Sequence, residues 1–547
     1  MALRTRVLSV LLPAALVAGC SVAPPYDPPQ LALPSAFKEA PQQPADPAAW
    51  KPAEPGDGQP RGAWWTIFDD PRLDALQREA VQANPTLQSG IARVEGSRAL
   101  LRAAVAERFP RVDIGAGPTR ERASPAALGL DEDADVPPRT LWRAVASADY
   151  EVDLFGRVRN AVAAARADAE QDAALLHSLQ LAIQADVAQH YLLLRWIDTE
   201  IALLEDTAAL RADAVDLIER RVREGEAGEL DLARARTELS NARSDRIALT
   251  RTRAEVEHAL AVLLGRAPAE LTIAAEPTVF RPVTIPPGVP STLLERRPDI
   301  AAAERAMAAA NARIGVARAA YFPRLSLTGL LGFESGELGD LFRSASRTWA
   351  LGPLVGTMLS MTVFDGGRRE AIEASAAAEY DRAVADYRQT VLNALREVED
   401  QLSGLRILAE QAREEMRALE AARRAAQLSS MRYREGYVSY FEVIDAERQV
   451  LAAQRAMLRT DRERALATVA LVRALGGGWQ RSEGMADAVG AAGAAGATGA
   501  IEAADAADAT EPTDATSAAD AAGAPGPLAG QDRRASAPAT SEASAAR

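Results

Sequence analysis

Few residues of this 547-residue chain have the spacing to do chemistry. Cys20 is its only cysteine, so no disulfide can form within the chain. His177, His190 and His258 stand singly in helix-forming sequence, and no His/Cys/carboxylate group has the spacing of metal ligands. A P-loop, a GxSxG elbow and a GxGxxG fingerprint are all missing. Gly476-Gly477-Gly478 has no following lysine and reads as a helix stop. The chain is therefore not expected to be an enzyme, and no metal or cofactor is expected. One constellation remains. Phe441, Asp445 and Arg448 follow at spacings of four and three, which puts them on one helix face. By itself such an i, i+3 pair is ordinary surface, worth roughly a few tenths of a kcal/mol.

The elements that must position these residues are long helices. The stretch 157–265 has no proline, and its only internal glycines are Gly225 and Gly228. Ala, Leu, Arg, Glu and Gln dominate it, the strongest helix formers. It predicts one helix over 157–223, a tight turn at Gly225–Gly228, and a return helix to about 264. The outgoing arm would measure roughly 100 Å, too long for a compact domain. A second such strut spans 368–475. Arg223-Glu224-Gly225 recurs as Arg434-Glu435-Gly436, and Leu264-Gly265 as Leu475-Gly476, each 211 positions on. Asn84-Pro85 and Phe109-Pro110 recur as Arg297-Pro298 and Phe322-Pro323, each 213 on. One unit of about 210 residues is used twice, which implies two-fold pseudosymmetry rather than a solenoid.

Between the helices the period changes from 3.6 to 2. Trp142, Ala144, Ala146, Ala148, Tyr150, Val152 and Leu154 alternate with Arg143, Val145, Ser147, Asp149, Glu151 and Asp153, a strand with one greasy and one wet face. Residues 111–122 read as its partner across an acidic loop at 123–139. The second unit repeats the pattern from Arg324 to Phe333 and, after a loop at 334–347, from Trp349 through Val355 to Val363. Such strands are long enough to cross a bilayer at a tilt, or could form soluble hairpins. A spanning sheet must close, because lipid offers no partner to an open edge. Four strands cannot close, and even eight would be filled by their own side chains. The chain must therefore oligomerise, and a homotrimer would give twelve strands.

The totals agree. Hydrophobic residues make up 48% but aromatics only 5%, which suits helices packed backbone-close. The net charge of −14 argues against nucleic acid as a partner. Helices are expected near 72–84 and 86–108, with a capping box at Thr292 and Glu295. The divisions are a signal segment at 1–19, a proline-rich arm at 20–63, a first structural repeat at 64–283, a second at 284–480, and a tail at 481–547. The tail is rich in Ala, Gly and Asp and is expected to be disordered.

Leu16-Val17-Ala18-Gly19-Cys20 resembles the lipobox of bacterial lipoproteins. That resemblance implies cleavage before Cys20 and acylation of its thiol and new amino group, and Ser21 at the next position implies the outer membrane. The body of the chain resembles the TolC/OprM class of trimeric outer-membrane efflux channels, closest to the lipoprotein (NodT-type) subfamily. The residues that carry it include WWTIFDDPRLDAL (64–76), YEVDLFGRVRNAV (150–162), IPPGVPSTLLERRPDIAAAE (285–304), VFDGGRR (363–369) and RYREGYVSYFEVIDAERQVL (432–451). It covers about residues 20–480.

The resemblance implies a mixed fold, a twelve-stranded β-barrel in the outer membrane of a Gram-negative bacterium above a long α-helical barrel, with four strands per protomer. It implies a passive exit duct for drugs or other small molecules. A periplasmic adaptor and an inner-membrane pump of the resistance-nodulation-division type would be its partners. A duct for a protein-secretion exporter and a non-conducting structural lipoprotein remain alternatives. Phe441, Asp445 and Arg448 match the positions that line the family's periplasmic constriction. Arg234 stands where Asp445 would fall in the first unit, so a pair between them is conceivable. The turns at Arg223, Gly225, Arg434, Gly436 and Ser439 either contact the adaptor or only close the hairpins.

Overall fold

A computed structural model describes residues 22–29, 31–39, 62–278, 285, 290, 292–352 and 358–477. Cys20, the signal segment, Val355 and the tail at 481–547 lie outside the described residues. The first repeat contains α1 (Pro71–Ala83), α2 (Pro85–Ala106), β1 (Arg111–Glu121), β2 (Arg139–Val152), α3 (Arg157–Arg223) and α4 (Glu229–Leu263). The second contains α5 (Thr292–Arg296), α6 (Pro298–Ala319), β3 (Arg324–Ser335), β4 (Arg347–Leu351), β5 (Leu359–Ser360), α7 (Arg368–Arg434) and α8 (Tyr440–Ala474).

The two struts are equal. Helices α3 and α7 have 67 residues each, and their returns α4 and α8 have 35 each. A return of about 50 Å lines only half of a rod of about 100 Å. Beside α3 and α7, the other half is lined by α2 and α6, 22 residues each. The two segments meet end to end. Asn84 Oδ1 accepts the amides of Thr86 (2.8 Å) and Leu87 (3.1 Å) at the start of α2, while its Nδ2 donates to Leu263 O (2.8 Å) at the end of α4. One side chain thus satisfies groups that both helix ends leave unpaired. At the matching joint Arg297 Nη1 donates to Ala474 O at 3.0 Å. Gly265, at φ 71°, ends α4 so close to Ala83 O that a Cβ would stand 2.3 Å from it.

The main core gathers at this level of the rods, around Trp64, Tyr191, Leu192, Met307, Val391 and Val472. Beside it Arg195, buried, donates to Asp198 Oδ2 (3.3 Å) and Ala274 O (2.9 Å). Arg253 reaches the same Asp198 at 2.6 Å and Ile273 O at 2.7 Å. These bonds pin residues 271–278 onto α3 and α4. No described helix is long and apolar enough to cross a membrane.

The sheet is antiparallel in the order β1-β2-β3-β4, with β5 also on β3. Register aligns Arg143 with Glu334, and their side chains bond at 2.7 Å on the wet face. The other face is apolar and uncovered, with Ile114 87% and Leu351 82% exposed. It carries Trp142 and Phe333 near one end, Trp349 midway and Tyr150 near the other. The eight steps from Trp142 to Tyr150 rise about 26 Å, the height of the apolar band on a membrane barrel.

The fourth strand departs from the single run expected over 349–363. It is interrupted: β3 advances two residues, from Thr328 to Ser326, while the opposing chain uses six, from Gly352 to Met358. Gly352 sits at φ 118° and is followed by Pro353, which has no N–H to give the ladder. Among the described residues the pairing with β3 stops at Gly352 and resumes at Met358.

Candidate functional site at the hairpin tips

Each strut turns on a glycine. Gly225 (φ 78°) and Gly436 (φ 79°) follow α3 and α7. Glu226 N donates to Arg221 O at 2.8 Å, and Tyr437 N to Arg432 O at 2.9 Å, the same closure in both repeats. Open space surrounds both glycines, so their positive φ alone demands the residue type. Arg223, Gly225, Arg434, Gly436 and Ser439 are all exposed. Arg221 lies 5.4 Å from the Tyr433 ring, which brings the two tips together.

Behind the turns the hairpins share an apolar cluster. Val215 and Ile218 of α3 and Leu232 and Ala235 of α4 meet Tyr440, Val443 and Ile444 of α8. The inward spacing at 440, 443 and 444 leaves Phe441, Asp445 and Arg448 on an exposed face, as their spacing requires. Burial pushes the Tyr440 hydroxyl up to about 12.

The partners of the exposed residues differ from any pair within that face. Arg448 Nε donates to Glu238 Oε1 at 2.9 Å, across to α4. Glu238, itself buried, is held by Arg211, whose Nη1 donates to its carbonyl (2.8 Å) and whose Nη2 stands 3.2 Å from its carboxylate. The Glu238 bond raises the Arg448 guanidinium above its ordinary pKa. One heptad along, Arg455 donates to Glu200 (2.8 Å) and Asp245 (3.0 Å). Asp445 accepts from Gln449 at 2.9 Å. Arg234 pairs with Asp231 at 3.7 Å and stacks 5.2 Å from the Phe441 ring, so the conceivable Arg234–Asp445 pair gives way to Arg234–Phe441.

Glu238, Arg211, Arg455, Glu200 and Asp245 escaped the reading of the sequence. A signal existed: Arg448 and Arg455 are seven apart, and so are Glu238 and Asp245. Nothing local says which acids those arginines face. Among the described residues no His/Cys/Asp/Glu group could hold a metal ion.

This arrangement can join one hairpin to the other by charge, and on one exposed face it leaves the Asp445 carboxylate bonded to Gln449 and the Phe441 ring against Arg234. The sequence matches the family described as "Outer membrane efflux protein" over residues 76–266 and 289–477. Outer membrane protein OprJ of Pseudomonas aeruginosa is 34% identical over 495 residues, spanning 87% of this chain and 97% of that protein. The toluene efflux pump outer membrane protein TtgF of Pseudomonas putida is 33% identical over 482 residues, spanning 87% and 98%. Among solved structures, the outer-membrane channel OprN aligns with a TM-score of 0.75 at 33% identity, over 84% of this chain and 100% of that one. The MtrE channel of Neisseria gonorrhoeae, described in its open state, aligns at 0.72 and 28% identity, over 85% and 100%.

Proposed function

The chain belongs to the outer membrane efflux protein family, and from that premise we propose a passive trimeric duct whose tips form a charge-latched gate. Its fold is a membrane β-barrel joined to a long α-helical barrel, and it is the outer-membrane exit duct of an efflux system. The observation that carries the trimer is the sheet. Its outer face is apolar, β1, β2 and β3 are long enough to span, and among the described residues its two edges have no partner. Lipid does not tolerate such edges, and three copies of four strand positions close a twelve-stranded ring. The helices continue that ring as a tunnel wall about 100 Å long.

The gate reading rests on the tips. Arg448 is engaged by Glu238, so Asp445 has no arginine from its own face. Around a three-fold axis three such carboxylates repel unless cations sit among them, while the Glu238–Arg448 and Arg455 bonds hold α8 inward against α3 and α4. Breaking those bonds frees the second hairpin to swing away from the axis. The exposed turns at Arg223, Gly225, Arg434, Gly436 and Ser439 are the surface offered to a periplasmic adaptor, with a resistance-nodulation-division pump beneath. Relatives named for toluene and antibiotic efflux support small-molecule cargo. Cys20 is read as the lipid anchor. Ala23, three residues on, lies against Gly315 in the last turns of α6, close to the sheet.

The test is conductance. Purified protein in a planar bilayer is expected to give a small resting conductance that rises when the latch is removed. Absence of any conducting state in wild type and latch variants alike would refute the duct.

A further inference from the structure

The arm at 22–29 and 31–39 is fastened to α6 at three places. Ala23 sits over Gly315, where an added Cβ would come within 2.6 Å of it and 2.5 Å of Asn160 Nδ2. Asn311 Nδ2 donates to Pro24 O at 3.1 Å. Tyr26 donates to the buried Glu304, 2.5 Å to Oε1 and 3.2 Å to its carbonyl. Burial and that carboxylate both push the Tyr26 hydroxyl pKa upward. The arm then crosses to α7. Phe37 is buried in the main core, and Leu31 and Leu33 pack against it. The Glu399 carboxylate accepts the amides of Lys38 (2.7 Å) and Glu39 (3.0 Å), one on each oxygen. Arg406 bonds the Glu39 side chain at 2.8 Å.

These fastenings follow helix faces. Glu304 and Asn311 are seven apart with Gly315 four further on, and Glu399 and Arg406 are seven apart. They also belong to one repeat. The positions 213 residues before Glu304, Asn311 and Gly315 are Ile91, Arg98 and Arg102, all exposed on α2. The position 211 before Glu399 is Ala188. The duplicated unit departs from itself at Glu304, Asn311, Gly315 and Glu399, while Arg406 matches Arg195, and no core packing needs a carboxylate at 399 to bind two amides. A grip on both helices costs chain entropy for ordering 18 residues, and buried Phe37 with charge-assisted bonds offsets it.

We propose that residues 22–39 are a strap that fastens α6 to α7 in the second repeat alone, and that three copies assemble only when it is docked. The strap half stands on the bonds above. The assembly half rests on the three-copy reading of the sheet. Lys38 and Lys51 are the only lysines, and the Lys38 side chain is 88% exposed. A lysine-specific protease can therefore reach it, yet cleavage requires the pinned backbone to open first.

Detergent-extracted full-length protein is digested, and cleavage after Lys38 and oligomeric state are followed together. Wild type is expected to resist. Asn311→Ala with Glu399→Gln is expected to be cut about tenfold faster or more and to yield mostly monomer. Cleavage at the wild-type rate would overturn the strap; faster cleavage with full trimer recovery would overturn its role in assembly. A wild-type monomer would sink the duct reading, whereas the cleavage rates still test the strap. Should that variant misfold, Glu39→Arg alone is expected to free the arm, and Glu39→Arg with Arg406→Glu to restore resistance. Both carry the same residue after Lys38, so equal rates for the two would also overturn the strap.

Discussion

Arg448 reaches past Asp445 to a buried acid on another helix, and that choice decides what each tip residue can do. Asp445→Ala with Arg448→Ala removes both the exposed carboxylate and the latch, and the resting conductance is expected to rise; an unchanged planar-bilayer conductance would count against the gate. Glu238→Gln keeps the shape but weakens the charge-assisted bonds to Arg448 and Arg211 by about 2 kcal/mol, so it should also raise conductance without touching the exposed face. Tyr440 and Tyr191 titrate near 12, Tyr440 chiefly through burial, Tyr191 through burial and then its bond to Asp70. Their folded-state values lie above the ordinary value of 10, so the stability they contribute is complete below pH 10. It is lost as pH rises through 12. Circular dichroism against pH is expected to show loosening between pH 10 and 12, with Tyr440→Phe reducing the part that arises at the tips. The face holding Phe441, Asp445 and Arg448 was legible because helical spacing is local. Glu238 was not, because its partner lies 210 residues away and no local pattern names it.

The rods depend on joints as much as on helix length. Asn84→Ala removes a cap from one helix and a donor from the other, and a loss of about 1–2 kcal/mol is expected, read as a lower thermal midpoint at 222 nm. Gly265→Ala adds both a positive-φ strain and a Cβ against Ala83 O, so it is expected to cost more than Gly225→Ala, where only the strain applies. The reverse order would contradict the end-to-end joint. These boundaries could be read from glycine and proline, since Gly225, Gly265, Gly436 and Gly476 stop helices by backbone conformation. The alternation of β2 and β3 was equally legible. The break between β4 and β5 was half-hidden. Gly352, at φ 118°, marks it, but apolar residues on both sides make the run look continuous, and among the described residues β4 pairs with β3 alone.

One chain holds a slice of a wall: four strand positions, two rods, an apolar outer face, and free edges at β1 and β4. The acyl anchor proposed at Cys20 is a separate attachment, so Cys20→Ser is expected to abolish acyl-chain labelling in cells; persistent labelling would refute lipidation there. Everything said of the duct requires several copies to share one hollow. Native mass measurement of the detergent-extracted protein tests that requirement most directly. Particles of three chains, with β signal in circular dichroism, are expected. A lone monomer with little β signal would contradict the duct.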